Sequence, residues 1–500
     1  MAAGAADPQP ITPTPVSSPS PSAHAGRRHV RRSDALVIGL LMISTLVVLV
    51  SELLMGVALP TLIVELDITA TTGQWLTTGY MLTMALLIPS TGFLIRRFRL
   101  RTIYLTSMSV FILGTAVAAI APAFPVLLAG RIIQAVGSAV FLPLLMTTVM
   151  RLVPEARRGR TMALIVVVTA AAPAFGPALS GLILSQFSWR WLFIFVLPVA
   201  ITGLVLGALK LRNITEPEQV RLDVLSMLLA AVGFGGLVYG LATIGESASG
   251  HAPVAPWIPI AVGVAGVAAF AMRQVSLQRT DEALLDLRIL TVRSFTVPLL
   301  IVLAVSMTMF GSAVIVPLYL GDALGLGALQ IGLFLIPGGI IVAVVSEIGG
   351  RIYDRVGPVP LVAPGAVIVL LSLWLLTTVD ASTSIALFFA NYLAMFVGQS
   401  LMWSPLTTTA LSSLTTNLYP HGSAAVSTIQ QLGGAAGSAV MVSAYTFGAG
   451  TDTTGGLEAA ASASATQAAF ISAVAIASVS LALTFLVRRP ARAAKAAPLP

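Results

Sequence analysis

Glu52, Arg131 and Gln134 each interrupt a long apolar run. Glu52 lies roughly 25 Å along the first run from its basic flank, at about 1.5 Å per helical residue, which places it well inside a bilayer. An acidic group at that depth costs about 2.5 to 3.5 kcal/mol on insertion scales, so it persists where it faces a cavity, finds a partner or carries a proton. A carboxyl group withdrawn from water that exchanges a proton has the chemistry of a proton carrier. The competing reading is an interfacial glutamate near the outer headgroups. Arg131, Gln134 and Ser138 fall at i, i+3 and i+7 and make one polar stripe down a helix. The guanidinium either favours the ionised form of Glu52 or ties helices together through backbone carbonyls, and the two roles are compatible.

Aromatic and amide side chains inside the other runs are candidates for substrate contact: Trp75, Tyr80, Phe310, Asn391, Gln399, Trp403, Gln430 and Gln431, together with Gln134. Aromatic rings offer large amphipathic surface, and amides satisfy polar groups without demanding one geometry. Helix packing is the competing reading for each. Glu347, seven residues before Asp354, is either a second protonation site or a partner for an arginine.

The elements that must position these groups are membrane helices. Of 500 residues, 57% are hydrophobic and 9% charged, and the mean hydropathy is +0.96, a balance that requires lipid as the solvent. Fourteen hydrophobic runs, the first starting near residue 35 and the last near 465, are each about a bilayer in length. Every Lys and Arg except Arg131 and Arg190 falls in alternate loops or in the tails. That pattern puts both termini in the cytoplasm and makes the span count even. The break at 407–422 is the one cytoplasmic loop without a basic residue, so the boundaries there are the least constrained.

Much else is excluded. Basic residues punctuate hydrophobic runs rather than forming one patch, which argues against nucleic acid as a partner. No GxxxxGK[ST] phosphate cradle is present. There is no cysteine, and the four histidines lack ligand spacing, so no metal or cofactor is expected. With so few titratable groups inside the spans, an enzyme is not expected either.

Laid against itself, the chain shows a repeat. Gly92 pairs with Gly350 and Gly176 with Gly434 at an offset of 258, and Pro60 pairs with Pro317 at an offset of 257. The alternative is chance recurrence among 43 glycines. Read as a parallel repeat, the pattern predicts two six-helix halves around a central cavity, with two helices inserted between them. The expected layout is a disordered cytoplasmic tail (1–33), a first half (34–212), a linker with the two extra spans (213–292), a second half (293–488) and a second cytoplasmic tail (489–500).

The turn Gly350, Arg351, Ile352, Tyr353, Asp354, Arg355, Val356, Gly357 resembles the GxxxDRxG motif of the major facilitator superfamily. In physical terms a glycine there lets two helices approach, and an Asp beside an Arg forms a breakable charge pair. Arg131, Gln134 and Gly137 look like that superfamily's RxxQG motif, with Ala135 where Gly is usual. Gly176, Pro177, Ala178, Leu179, Ser180, Gly181 are similar to the GPxxGG signature of its antiporters. The run from Glu52 to Leu59 and Pro60, the segment Trp189, Arg190, Trp191, Phe193, and the stretch from Asn417 through Gln430, Gln431 and Gly434 resemble the lincomycin-resistance and multidrug branch of the fourteen-span drug:proton antiporters.

There are departures. Arg96 and Arg99 stand where the second copy of the turn has Asp354 and Gly357, and Gly56 and Val196 stand where the family often has Asn. The resemblance implies an all-α membrane fold and proton-coupled export of small drug-like or antibiotic compounds. A proton symporter or facilitator for a metabolite is the alternative. It also implies proton coupling at Glu52 and Arg131, and gating or structural roles for Gly92, Gly176, Pro177, Gly181, Gly350, Asp354, Arg355 and Gly357. The expected setting is a monomer in a bacterial plasma membrane, with a small-molecule substrate, protons and the bilayer as partners.

Overall fold

The computed structural model describes residues 32–487 except 154, 214–222, 249–253, 280–282, 381–382, 416–417 and 452–457. Both expected tails thus lie outside the described residues, residues 32–33 apart, as does Asn417. The described residues form helices and no strand. The long helices are α1 (Arg32–Glu65), α2 (Ala70–Arg97), α3 (Leu100–Ala119), α4 (Phe124–Leu152), α5 (Glu155–Leu184), α6 (Trp191–Lys210) and α7 (Val224–Ala248). They continue as α8 (Trp257–Leu277), α9 (Arg293–Leu318), α10 (Ala328–Val356), α11 (Val359–Leu376), α12 (Ile385–Ser412), α13 (Tyr419–Thr451) and α14 (Glu458–Thr484).

Local chemistry sets several of these ends. Asp34 in the first turn of α1 complements the positive end of the helix dipole. The Gly327 N–H at the start of α10 donates to Gln330 Oε1 at 3.0 Å. At the other end of α10, Gly357 takes a φ of 82°, a left-handed turn suited to glycine. Helices α12 and α13 run further than the apolar pattern suggests. Where a break is expected over 407–422, α12 continues to Ser412 and α13 begins at Tyr419, with Pro420 in its first turn, where a missing N–H is tolerated.

Twelve of the helices are long and apolar enough to cross a membrane. The expected count of fourteen is not reached on that measure, since α5 and α13 fall outside it. For α13, 33 residues long, the reason is packing. It is flanked by α2, α7, α9 and α14, so its surface is built of Ala, Gly and Ser that fit against protein. Within α5 the side chains of several residues over 162–170 lie outside the described residues, and among those described the apolar stretch is Ala171–Leu184.

Two large apolar cores organise the bundle. One gathers buried residues from Val37 to Leu211 and the other mainly residues from Val297 to Val487. Between these groups, α2 packs on α13 and α5 packs on α10. The repeat maps α2 onto α10 and α5 onto α13, so it exchanges these two seams. Helices α7 and α8 pack on each other, and α7 lies on α13 and α2.

Two close contacts across the seams lie at the end of the bundle where α1 ends and α2 begins. Cβ atoms built on Gly181 of α5 and Gly332 of α10 would each lie 2.9 Å from the other's Cα, so only glycine allows this crossing. Thr71 and Thr446 share a hydrogen bond of 3.0 Å at the same end. At the opposite end the structure departs from an expectation, since Gly92 and Gly350 lie inside α2 and α10 and not in turns between helices. A Cβ on Gly92 would meet nothing within 4 Å, and one on Gly350 would meet Ser404 Oγ at an ordinary 3.7 Å. Among the described residues neither glycine serves close helix approach.

Candidate functional site

Close packing of α3 on α4 creates the floor of the site. A Cβ on Gly130 would lie 2.7 Å from the Ala118 nitrogen, so glycine brings the two backbones together. That contact sets Gln134 of α4 against Thr115 of α3, and Gln134 Nε2 donates to Thr115 Oγ1 at 2.8 Å and to Ser51 Oγ at 3.0 Å. Its Oε1 accepts from Arg131 Nη1 at 2.6 Å. Ser138, one turn on, accepts from Tyr80 OH at 2.6 Å and donates to the Gln134 carbonyl at 2.8 Å. The stripe read from the sequence therefore faces inward as one network.

Arg131 is fully buried. Its Nε donates to the Leu76 carbonyl at 3.3 Å, and Nη1 donates to the Ser51 carbonyl at 3.2 Å. Nη2 reaches the Glu52 backbone carbonyl at 3.5 Å, and the guanidinium carbon lies 4.3 Å from the centre of the Tyr80 ring. The cation thus ties α1, α2 and α4 together through carbonyls and a π face, which satisfies a charge held out of water. It approaches Glu52 at the backbone, and the two side chains form no direct ion pair.

The Glu52 carboxylate is 6% exposed and accepts from Gln431 Nε2 at 3.3 Å. Glu52 belongs to α1 and Gln431 to α13, so this hydrogen bond crosses between the two helical groups. Gly56, one turn beyond Glu52 on the same face of α1, lines a small apolar cleft. Leu53, Val57, Pro173, Pro177, Phe310 and Tyr392 are among its other walls. Among the described residues no charged side chain lines it, and Ser312 contributes a buried hydroxyl with no hydrogen-bond partner.

Other candidates are elsewhere. Asn391 donates to the Ser372 carbonyl at 2.8 Å and so joins α12 to α11. Trp75 stacks against Tyr239 of α7 with ring centres 5.9 Å apart. Trp403 packs on the second apolar core. Gln430 is half-buried beside Gln431. Gln399 is buried, and neither of its amide atoms has a partner. Glu347 is exposed and paired with Arg351 at 3.0 Å, the arginine-partner reading of that residue. Arg355 is exposed on the last turn of α10, and the Asp354 side chain lies outside the described residues. Gly176 abuts Leu53, where an added Cβ would lie 2.9 Å from that residue's Cβ.

The sequence reading missed Ser51 and Thr115, which complete the Gln134 network, and Ser312 and Tyr392 of the cleft. Ser51, adjacent to Glu52 on the same apolar helix, was the one with a readable signal.

A lone buried carboxyl where two helical groups meet, one turn from an apolar cleft, is an arrangement suited to a transporter. The model of the Major Facilitator Superfamily matches residues 41–438. The chain belongs to the major facilitator superfamily. It is 36% identical over 464 residues to the MFS-type transporter YcnB of Bacillus subtilis, covering 93% of this chain and 97% of the relative. It is 37% identical over 398 residues to the lincomycin resistance protein LmrB of Bacillus subtilis, covering 80% and 82%. To a multidrug resistance protein B homolog of Mycobacterium tuberculosis it is 29% identical over 449 residues, covering 87% and 82%. Among solved structures, a bacterial homologue of the lysosomal transporter Spinster superposes with a TM-score of 0.65 at 12% identity, covering 91% of this chain and 97% of that one. The human organic anion transporter MFSD10 superposes with a TM-score of 0.58 at 15% identity, covering 91% and 99%. These two likenesses show the same fold. The protein is a multi-pass membrane transporter of the branch that includes lincomycin and multidrug resistance proteins.

Proposed function

We propose that this transporter exports small lipophilic drug-like compounds across a bacterial plasma membrane in exchange for protons, with Glu52 as the proton-carrying group. The observation that carries the reading is the position of Glu52: buried, unpaired with any cation, held by an amide of the opposite half, and one turn from an apolar cleft. In this reading α5 and α13 complete fourteen spans, and both termini are cytoplasmic. Residues 34–212 and 293–488 form the rocking halves, 213–292 carry the inserted pair, and the monomer is the working unit. The lincomycin and multidrug resistance relatives support export and the class of substrate. One proton moved through a 100 mV potential supplies about 2.3 kcal/mol, enough to drive accumulation against a gradient.

Arg131 holds the site together from behind, and Tyr392, Phe310 and Ser312 offer the cleft's rings and hydroxyl to the substrate. The test is efflux of a lipophilic fluorescent dye from energised cells expressing the wild type or Glu52→Gln, with and without a protonophore. Export that is lost under both perturbations supports the reading. Faster dye accumulation in expressing cells, or normal pumping by the variant, overturns it.

A further inference from the structure

Gln431 offers Glu52 more than one hydrogen bond. Its Nε2 donates to Glu52 Oε1 at 3.3 Å. Its own Oε1 is buried, in a residue only 8% exposed, and has no partner among the described residues. An unpartnered buried carbonyl oxygen is unfavourable, so the arrangement has a reason to change when a donor arrives. Protonation of Glu52 supplies that donor.

A carboxylate can only accept, whereas a carboxylic acid has an O–H as well. An acid and a primary amide set face to face form a ring of two hydrogen bonds, N–H to the acid's carbonyl oxygen and O–H to the amide's oxygen. The first of these bonds is already present. Taking up a proton makes one O–H bond on Glu52 and gives the pair the donor that the Gln431 Oε1 lacks. No other bond is broken. Arg131 from α4 and Tyr80 from α2 are the titratable groups that face Glu52. The guanidinium is held by the Ser51, Leu76 and Glu52 carbonyls, and the phenol is committed to Ser138. Among the described residues α5, α9 and α13 present no titratable side chain to it.

We propose that Gln431 is a positioning residue that reads the protonation state of Glu52, joining the two halves by two hydrogen bonds when the carboxyl is protonated and by one when it is ionised. The proposal rests on Glu52 being the proton-carrying group. Since α1 and α13 belong to different halves, the proton then stabilises the conformation closed at the far end, where Gly181 meets Gly332 and Thr71 meets Thr446. Loss of the proton weakens the contact and releases the halves to open there.

The chain has no cysteine, so labels can be placed without background. Val64→Cys and Phe447→Cys, 81% and 56% exposed at the far ends of α1 and α13, serve as sites for a spin-label pair. The distance distribution is recorded in acidic and alkaline buffer for the full-length protein in lipid. In the wild-type background the close-distance population rises with acid. In Gln431→Met and in Gln431→Leu, which keep the bulk and remove the amide, the acid-to-alkaline change in the close-to-distant ratio shrinks roughly tenfold, the size of one buried polar group losing its partner. Glu52→Gln, whose amide pairs with Gln431 at two points, stays close at every pH. If both Gln431 variants keep the wild-type pH response while Glu52→Gln loses it, the proposal is overturned and the role of Glu52 stands. If Glu52→Gln still responds to pH, the proton-carrying role itself fails, and this inference with it.

Discussion

The guanidinium carbon of Arg131 lies 4.3 Å from the centre of the Tyr80 ring, while the Tyr80 hydroxyl donates to Ser138 at 2.6 Å. One tyrosine thus serves a buried cation with its face and a neighbouring hydroxyl with its edge. Tyr80→Phe keeps the face and is expected to lower stability in detergent by about 1 kcal/mol, the net worth of a hydrogen bond. Tyr80→Leu removes the face as well and is expected to cost about 2 kcal/mol more, as for a desolvated cation–π contact. Thermal unfolding of the two purified variants checks the order, and equal losses would contradict the geometry.

Arg131 is held through a planar fork that touches three backbone carbonyls and one amide oxygen. Lysine keeps the charge but cannot span those acceptors. Arg131→Lys is therefore expected to lose at least about 2 kcal/mol of stability and most transport, with two or more buried acceptors left unpaired. A variant that melts and pumps like the wild type would show that the charge alone matters.

The seam glycines divide into two groups. Gly181→Leu places a branched side chain where Gly332 Cα lies 2.9 Å from the first added atom, so closure at the far end is expected to fail and efflux with it. Gly92→Ala meets no atom within 4 Å and is expected to leave stability unchanged. Parallel efflux and melting curves separate the two, and a destabilised Gly92→Ala would contradict the open space found beside that residue.

Asp223, just before α7, accepts from Arg273 at 2.7 and 2.8 Å. The Arg273 hydrogen bonds, followed by those of Ser226 against the cost of partial burial, hold its carboxyl below the ordinary value. A depressed folded-state pKa gives stability that is present above the unfolded-state value and is lost as pH falls through the folded one. Asp223→Asn is thus expected to melt lower than the wild type near neutral pH and level with it in strong acid. A difference that persists in acid would assign the effect to packing.

Much of the site was readable because a polar residue in lipid is conspicuous. Glu52, Arg131, Gln134 and Ser138 needed only their isolation and spacing to be chosen, and the structure brings them to one place. Residues with an equal claim by type were not separable by sequence. Asn391 is taken up by the Ser372 carbonyl and Trp75 by Tyr239, whereas Gln431 reaches Glu52, and only the fold decides which. The cleft was invisible for a related reason. Leu53, Val57, Pro173 and Phe310 have the composition of any lipid-packed helix. The helical pattern itself was legible from hydropathy, except at α13, where enclosure by other helices replaces lipid-facing side chains with Ala, Gly and Ser.

Proton exchange through Glu52 is the central claim, and substrate-driven proton flux tests it most directly. Purified protein is reconstituted into vesicles holding a pH-sensitive dye, and a gradient of a lipophilic substrate is imposed with no pH gradient. The wild type is expected to move protons against the direction of substrate, and Glu52→Gln to move none. Proton flux in Glu52→Gln equal to the wild type, or protons travelling in the same direction as the substrate, would contradict the account.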